Sequence, residues 1–118
     1  MTIRISIDSA GNESEFGMDS QFPAISGNGR YVTYASTATN LVPDKTDNYR
    51  DIFVYDQTSR VSSRVSIDTT GASANNSSDL ADISDDGHYI AFESYADDLI
   101  ANDANGTSDI FLRYMGTR

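Results

Sequence analysis

Acidic and amide side chains alternate along one loop of this sequence in a pattern that could bind a metal ion. In the segment Asp103-Ala104-Asn105-Gly106-Thr107-Ser108-Asp109, oxygen-bearing side chains stand at alternate positions around a glycine. Such alternation is typical of calcium-binding loops, although the acidic residue that ends an EF-hand loop is missing here. The pattern allows two interpretations: a calcium site formed by Asp103, Asn105 and Asp109, or a metal-free loop whose carboxylates accept hydrogen bonds from turn amides. No other cofactor is expected.

A second loop, at residues 44–51, matches this pattern only in part. Lys45 stands where the other loop has Asp103, and Arg50 adds a second cation. The loop that contains Asp103 is therefore the better calcium candidate.

Four long polar stretches also offer surfaces for ligand contact. They lie at residues 8–21, 37–50, 68–79 and 95–108 and are rich in Asp, Asn, Ser and Gly. Long loops on a rigid scaffold commonly carry binding sites, and an acidic surface attracts cations or basic peptides. Within these stretches we select Tyr49, Tyr95, Asp97 and Asp98 as candidate ligand-contacting residues, for a peptide or a carbohydrate.

Catalytic chemistry finds little support in the residue types. The chain has no cysteine and a single histidine, His88, which stands beside a tight turn. Without a paired nucleophile and base, covalent catalysis has no candidate. The acidic pairs Asp85-Asp86 and Asp97-Asp98 could in principle act as acid and base, but adjacent carboxylates in turns usually only solvate a surface. We expect no catalytic residues and a protein that is not an enzyme.

An internal repeat defines the elements that must position these loops. Residues 25–36 (ISGNGRYVTYAS) return 58 residues later as residues 83–94 (ISDDGHYIAFES), and residues 51–54 (DIFV) return as 109–112 (DIFL). Upstream, residues 4–8 (RISID) return 60 residues later as 64–68 (RVSID). Because a repeat decides the whole fold, it takes precedence over element-by-element assignment.

Each copy is predicted to form four short antiparallel strands. The predicted strands are 22–26, 31–34, 51–55 and 63–67 in one copy and 80–84, 89–92 and 109–113 in the other, with residues 3–7 as the counterpart of 63–67. Aromatic and β-branched residues dominate the second and third strands, and glycine-containing turns precede the second. Near-continuous apolar strands are typical of propeller blades, since both faces of a blade pack on neighbours.

The ordered set of motifs resembles the WD40-like repeat of TolB-type β-propellers over essentially the whole chain, twice. It comprises Ile-Ser-x-x-Gly-Arg/His-Tyr-Val/Ile-x-Tyr/Phe-x-Ser, then Asp-Ile-Phe-Val/Leu, then Ser-Arg-Val-Ser-Ile-Asp. The resemblance implies an all-β propeller with two blades per chain and a periplasmic or secreted origin. It says little about function, because propellers of this family serve as protein-binding platforms, as lids on hydrolases and as secreted repeats.

Two blades are too few to close a propeller, which typically has four to eight. We therefore expect a homo-oligomer, with three copies giving the six blades usual in the family. In this arrangement residues 20–68 form the first blade and residues 79–118 form a second blade that lacks its outer strand. Residues 1–8, through Ile3, Ile5 and Ile7, would supply that strand to a neighbouring copy. The alternatives are a tetramer with eight blades, a dimer with four, or a fragment of a longer propeller, and the sequence is also compatible with an engineered chain.

Composition excludes several classes of partner. The chain carries 8 Lys and Arg against 18 Asp and Glu, a formal charge of −10, which argues against binding to nucleic acid. No apolar run reaches the roughly 18 residues that span a bilayer, and residues 1–4 do not read as part of a signal peptide, so a soluble chain is expected.

The leading hypothesis is a non-catalytic structural and interaction module that binds copies of itself. The alternative is a ligand-binding propeller, lectin-like or calcium-dependent, that uses the acidic loops.

Overall fold

Two antiparallel β-sheets make up all the regular structure that we find. The computed structural model describes residues 1–15, 18–43, 45, 47–103 and 106–116, and within these residues it contains seven strands and no helix. The strands are β1 (Ser20–Ile25), β2 (Tyr31–Ser36), β3 (Asp51–Asp56), β4 (Val61–Arg64), β5 (Ser78–Ile83), β6 (Tyr89–Ser94) and β7 (Asp109–Tyr114). The first sheet has the order β1-β2-β3-β4 and the second the order β5-β6-β7. The all-β expectation is confirmed at this level, as two meandering sheets of four and three strands.

The repeat in sequence is also a repeat in strand register. Tyr31 pairs with Asp56 and Ser36 with Asp51 in the first sheet, and the corresponding pairs of the second sheet are shifted by 58 residues. Both edge hairpins contain the same irregularity, in which Phe22 (φ 56°) and Leu80 (φ 55°) adopt the left-handed conformation within a bulge. Because the bulge lies at the same position in both sheets, it bends the two edge strands in the same way.

The two sheets pack face to face through an apolar core. Its buried members come from both sheets and from the segment that links them: Tyr31, Ala35, Ile52, Val54, Val65, Ala81, Ile90 and Phe92. Backbone contact also joins the sheets, because the Asn28 N–H donates to the Asp85 carbonyl over 3.1 Å. An ion pair between Arg50 Nη1 and Asp79 Oδ1, 2.8 Å apart, links them at the opposite end.

The fourth strand differs from its prediction. It was expected over residues 63–67 and is found at Val61–Arg64. The Val65 N–H still donates to the Ile52 carbonyl over 2.7 Å, but the Val65 side chain is buried between the sheets. The chain leaves the ladder here because the Val65 side chain is used for packing between the sheets.

The predicted strand at residues 3–7 is not formed within this chain. Its only ladder contact is an isolated bridge between Ile7 and Glu13. Ile5 and Ile7 instead pack against the outer face of the first sheet, on a cluster that contains Tyr34 and Phe53. Ile5 and Ile7 are the repeat counterparts of Val65 and Ile67, which follow β4. By the same register, residues 1–4 correspond to β4 and would be the segment that forms a strand.

Candidate functional site

The second sheet exposes apolar side chains at positions that the first sheet buries. Ile110 is 77% exposed and Leu112 67%, whereas their counterparts Ile52 and Val54 are 0% and 3% exposed. Tyr89 is 46% exposed, against 1% for Tyr31. A contiguous exposed apolar patch on a sheet face is typical of an interaction surface. We call the patch formed by Tyr89, Ile110, Leu112 and Tyr114 the open face.

The edge of the second sheet is also uncovered. In the first sheet β4 pairs along β3, from Asp56 with Val61 to Phe53 with Arg64. In the second sheet β7 occupies the place of β3, and it pairs on one side only, with β6. A strand edge with free backbone groups is a template for pairing with another chain.

The outer face of the first sheet carries a shallow groove. Its lining residues combine apolar and small polar side chains: Arg4, Ile5, Ser6, Ser20, Gln21, Pro23 and Tyr34. Three of these are the repeat counterparts of Val65, Ala81 and Phe92, which lie in the core between the sheets. The groove therefore has the composition of one half of that core, and we call it the outer groove.

The N-terminal segment lies near this groove rather than near β7. Met1, Ile3 and Arg4 line a depression together with Tyr55 and residues of the turn between β3 and β4. Ile3 is 53% exposed, while Ile5 and Ile7 are partly buried on the first sheet. Of the three isoleucines selected from sequence, Ile3 is thus the most exposed, while Ile5 lines the outer groove.

The selected loop aspartates hold the polypeptide together. The amide side chain of Asn75 donates to Asp97 Oδ1, and the Asp97 N–H donates back to Asn75 Oδ1 over 3.1 Å. Asp98 Oδ1 accepts from the Asn75 N–H over 3.1 Å. These contacts tie the loop after β6 to the loop before β5, so the structure gives both carboxylates a structural role.

Tyr49 and Tyr95 lie in different loops, and both rings are largely exposed. The backbone of Tyr49 takes part in the lysine site described next, and the Tyr95 N–H donates to the Ser77 carbonyl over 3.0 Å. Their exposure is compatible with ligand contact. No described contact joins the two rings into one binding surface.

A buried lysine organises the loop before β3, a feature that sequence reasoning missed. The fully buried Lys45 ammonium donates to the carbonyls of Asp47 and Tyr49, both at 2.8 Å, and to Asp47 Oδ1 at 3.0 Å. Asp51 Oδ2 lies 3.5 Å from the same nitrogen. The loop therefore wraps oxygen atoms around a cation that the chain itself provides. The oxygen-rich composition of the loop and the single lysine within it were the available signal.

Asp51 is the titratable group that this environment perturbs most. Burial raises the pKa of Asp51 to about 6, although a hydrogen bond from Ser66 Oγ and the Lys45 charge oppose the shift. Asp56 shows the reverse, since paired hydrogen bonds from Arg30 at 2.9 and 3.0 Å lower its pKa to about 2. The pKa values of the two carboxylates therefore lie well apart, with Asp51 near 6 and Asp56 near 2.

Only part of the candidate calcium loop lies within the described residues. Asp103 and Asp109 are half-buried, and Asp109 begins β7, whereas Asn105 lies outside the described residues. Within the described part of the chain, no three acidic or histidine side chains converge as a group that could hold a metal ion.

His88 belongs to a turn motif rather than to a catalytic arrangement. Asp86 accepts from Ser84 Oγ at 2.8 Å and from the His88 N–H at 2.9 Å, and its other oxygen lies 3.2 Å from His88 Nδ1. The first sheet has the same turn network with Asn28 in place of Asp86. Ser84 faces the carboxylate and not the imidazole, so the order of contacts differs from that of a catalytic triad.

Comparison with known proteins identifies no relative. No protein-family model matches the chain, and none of the curated proteins is significantly similar to it. No helix long and apolar enough to cross a membrane occurs in the residues that the structure describes.

Proposed function

We propose that this chain is a non-catalytic structural and interaction module whose copies assemble with one another into a closed β-propeller. The observation that carries the proposal is the open face: Ile110 and Leu112 are exposed where Ile52 and Val54 are buried. Burying one such side chain contributes about 1.5–3 kcal/mol. An exposed apolar face of this kind is typical of an interaction surface.

The proposed partner is a second copy, because the chain carries both halves of the interface. The open face repeats the half of the internal core that the first sheet supplies, and the outer groove repeats the half that the second sheet supplies. Such a head-to-tail contact is heterologous, so successive copies close as a ring when the rotation per copy fits. Three copies would give six blades, within the usual four to eight.

The proposed strand exchange follows the register of β3 with β4. Transposed by the repeat, residues 1–4 of one copy pair along β7 of another, with Ile3 opposite Leu112 and Arg4 opposite Phe111. This pairing covers the β7 edge, which is the exposed strand template of the second sheet.

Hydrogen exchange tests the proposal at the residues concerned. We expect the amides of β7 to exchange more slowly as protein concentration rises, because assembly pairs them. The amides of β4, already paired within the chain, serve as the internal control. Rapid exchange of β7 that does not change with concentration would contradict self-assembly through this edge.

A second candidate function, cation binding by residues 103–109, is favoured by the lysine site. In the first repeat the Lys45 ammonium sits among oxygen atoms of Asp47, Tyr49 and Asp51. In the second repeat Asp103 replaces that lysine, so the loop exchanges its own cation for a further carboxylate. Calcium prefers six to eight oxygen ligands, and loop side chains, backbone carbonyls and water together would supply them in this proposal.

Thermal melting with calcium and with a chelator tests this second candidate. If the loop binds calcium, the melting temperature rises with calcium concentration. The matched control is Asp103→Lys, which installs the cation of the first repeat and should remove the calcium response. An unchanged melting temperature in the unmodified chain would rule the second candidate out.

A further inference from the structure

Within the chain, a tyrosine of the first sheet covers a glycine of the second. Gly87 has φ +78°, and a Cβ atom added there would lie 2.1 Å from Cδ2 of the Tyr31 ring. Any side chain at Gly87 would thus displace the ring. The close contact between Tyr31 and Gly87 therefore fixes the position of one sheet relative to the other.

The repeat supplies the same two parts again, at the outer surfaces of the chain. Tyr89 is the counterpart of Tyr31 and is exposed on the second sheet. Gly29 is the counterpart of Gly87, and it has φ +73° with no atom within 4 Å of an added Cβ. Among the described residues, the Tyr89 ring contacts Tyr114 of its own sheet, and nothing fills the space over Gly29. The exposed tyrosine therefore lies on one outer surface of the chain and the open glycine on the other.

The surroundings of the pair are duplicated as well. The outer groove presents Ile5, Pro23 and Tyr34 beyond Gly29, as the second sheet presents Val65, Ala81 and Phe92 beyond Gly87. Within the chain, the Asn28 N–H donates to the Asp85 carbonyl. The repeat counterparts of these two groups are the Asp86 N–H and the Gly27 carbonyl, which would pair between two copies.

From these relationships we infer that Tyr89 of one copy seats on Gly29 of the next, while Ile110 and Leu112 of the first copy fill the outer groove of the second. The inference rests on the proposed self-assembly and adds its register. A docking displaced along the strand by one residue, about 3.3 Å, would move Ile110 out of its place in the outer groove. The tyrosine and glycine thus select one register among those that the apolar faces would allow.

Two positions distinguish the interface between copies from the internal one. Ser108 and Gln21 stand where the internal interface has the ion pair of Arg50 with Asp79. Glu93 stands where the first sheet has the buried Ala35. The first change removes an ion pair and the second adds a charged side chain, so we expect the interface between copies to be weaker than the internal one and to dissociate on dilution.

A glycine substitution with a matched control tests the register. Gly29→Ala places a Cβ where the Tyr89 ring of another copy would lie. Gly11→Ala introduces the same strain, since Gly11 has φ +87° and equally open surroundings. We expect Gly29→Ala to raise the dissociation constant in sedimentation velocity by at least about tenfold, and Gly11→Ala to change it by less than about threefold.

A double variant guards against indirect effects of the substitution. Adding Tyr89→Ala removes the ring, so the Gly29→Ala, Tyr89→Ala chain should assemble as well as Tyr89→Ala alone. Circular dichroism of the dilute variants checks that each chain is folded. If the unmodified chain assembles and Gly29→Ala assembles equally well, the inferred register is wrong while self-assembly stands. If the unmodified chain remains a monomer, the proposed function fails first.

Discussion

Ile52 and Ile110 occupy the same position in two repeats of one chain, yet Ile52 is fully buried and Ile110 is 77% exposed. The backbone around them is alike, because each follows an aspartate that begins a strand and each is paired in the same register. Their difference arises from what packs on the sheet: the second sheet covers Ile52, and none of the described residues covers Ile110.

The two isoleucines therefore predict opposite effects of the same substitution. Ile52→Ala should lower the free energy of unfolding by about 2–5 kcal/mol, because it leaves a cavity in the core. Ile110→Ala should change the stability of the dilute monomer by less than about 0.5 kcal/mol and should weaken assembly. Urea unfolding and sedimentation velocity measure the two effects. Equal assembly of the Ile110→Ala variant and the unmodified chain would argue against the open face as an interface.

The N-terminal segment predicts a second effect. Replacing Thr2-Ile3-Arg4 by Gly-Ser-Gly removes the side chains that would cover β7, while Ile5 and Ile7 remain packed on the first sheet. We expect the variant to keep its monomer fold and to lose most of its assembly. Circular dichroism and light scattering separate these outcomes. An assembly of normal mass formed by this variant would exclude the strand exchange.

Substitution of Glu93 is expected to strengthen the association between copies rather than weaken it. Its carboxylate would be buried against another copy at a position where the first sheet has Ala35. Burying an unpaired charge is unfavourable, so Glu93→Ala should tighten association by about tenfold, equivalent to about 1.4 kcal/mol. Glu93→Gln, which removes the charge and keeps the shape, should give part of this gain. Weaker association of both variants would contradict the predicted position of Glu93 in the interface.

Asp51 predicts how stability depends on pH. Because burial raises its pKa from 3.8 to about 6, the unfolded chain loses this proton first as pH rises. The stability that protonated Asp51 contributes is present below pH 4 and is lost as pH rises through 6, by up to about 3 kcal/mol. Asp56, whose pKa is lowered to about 2, contributes stability that is lost only as pH falls below 4 towards 2.

Asp51→Asn should therefore flatten the stability profile between pH 4 and 6. Lys45 keeps its hydrogen bonds to the carbonyls of Asp47 and Tyr49 in this variant. Urea unfolding at several pH values, with dilute protein, gives the profile. An unchanged slope in that window would mean that another group is responsible.

Much of the fold could be predicted from the sequence because the repeat encodes it twice. The aromatic and β-branched residues of β2 and β3, and the turns at Gly29 and Gly87, placed the strands of both sheets correctly. The fourth strand was misplaced, because Val65 looks like a strand residue but is used for packing. The strand at residues 3–7, expected on a neighbouring copy, stays a prediction, and no pattern in one sequence separates these two uses of an apolar residue.

The candidate site was less predictable than the fold. Tyr89, Ile110 and Leu112 look like ordinary core residues in the sequence, and only their exposure marks the open face. The lysine site was missed because the contacts of Lys45 depend on the path of the loop. Asp97 and Asp98, selected for ligand contact, also join two loops, a role that the sequence did not indicate.

The mass of the protein in solution tests the central claim most directly. Light scattering over a dilution series should give about 38 kDa, three times the 12.8 kDa of one chain, and should fall towards the monomer on dilution. A mass of 12.8 kDa at every concentration would contradict self-assembly through the open face and the outer groove.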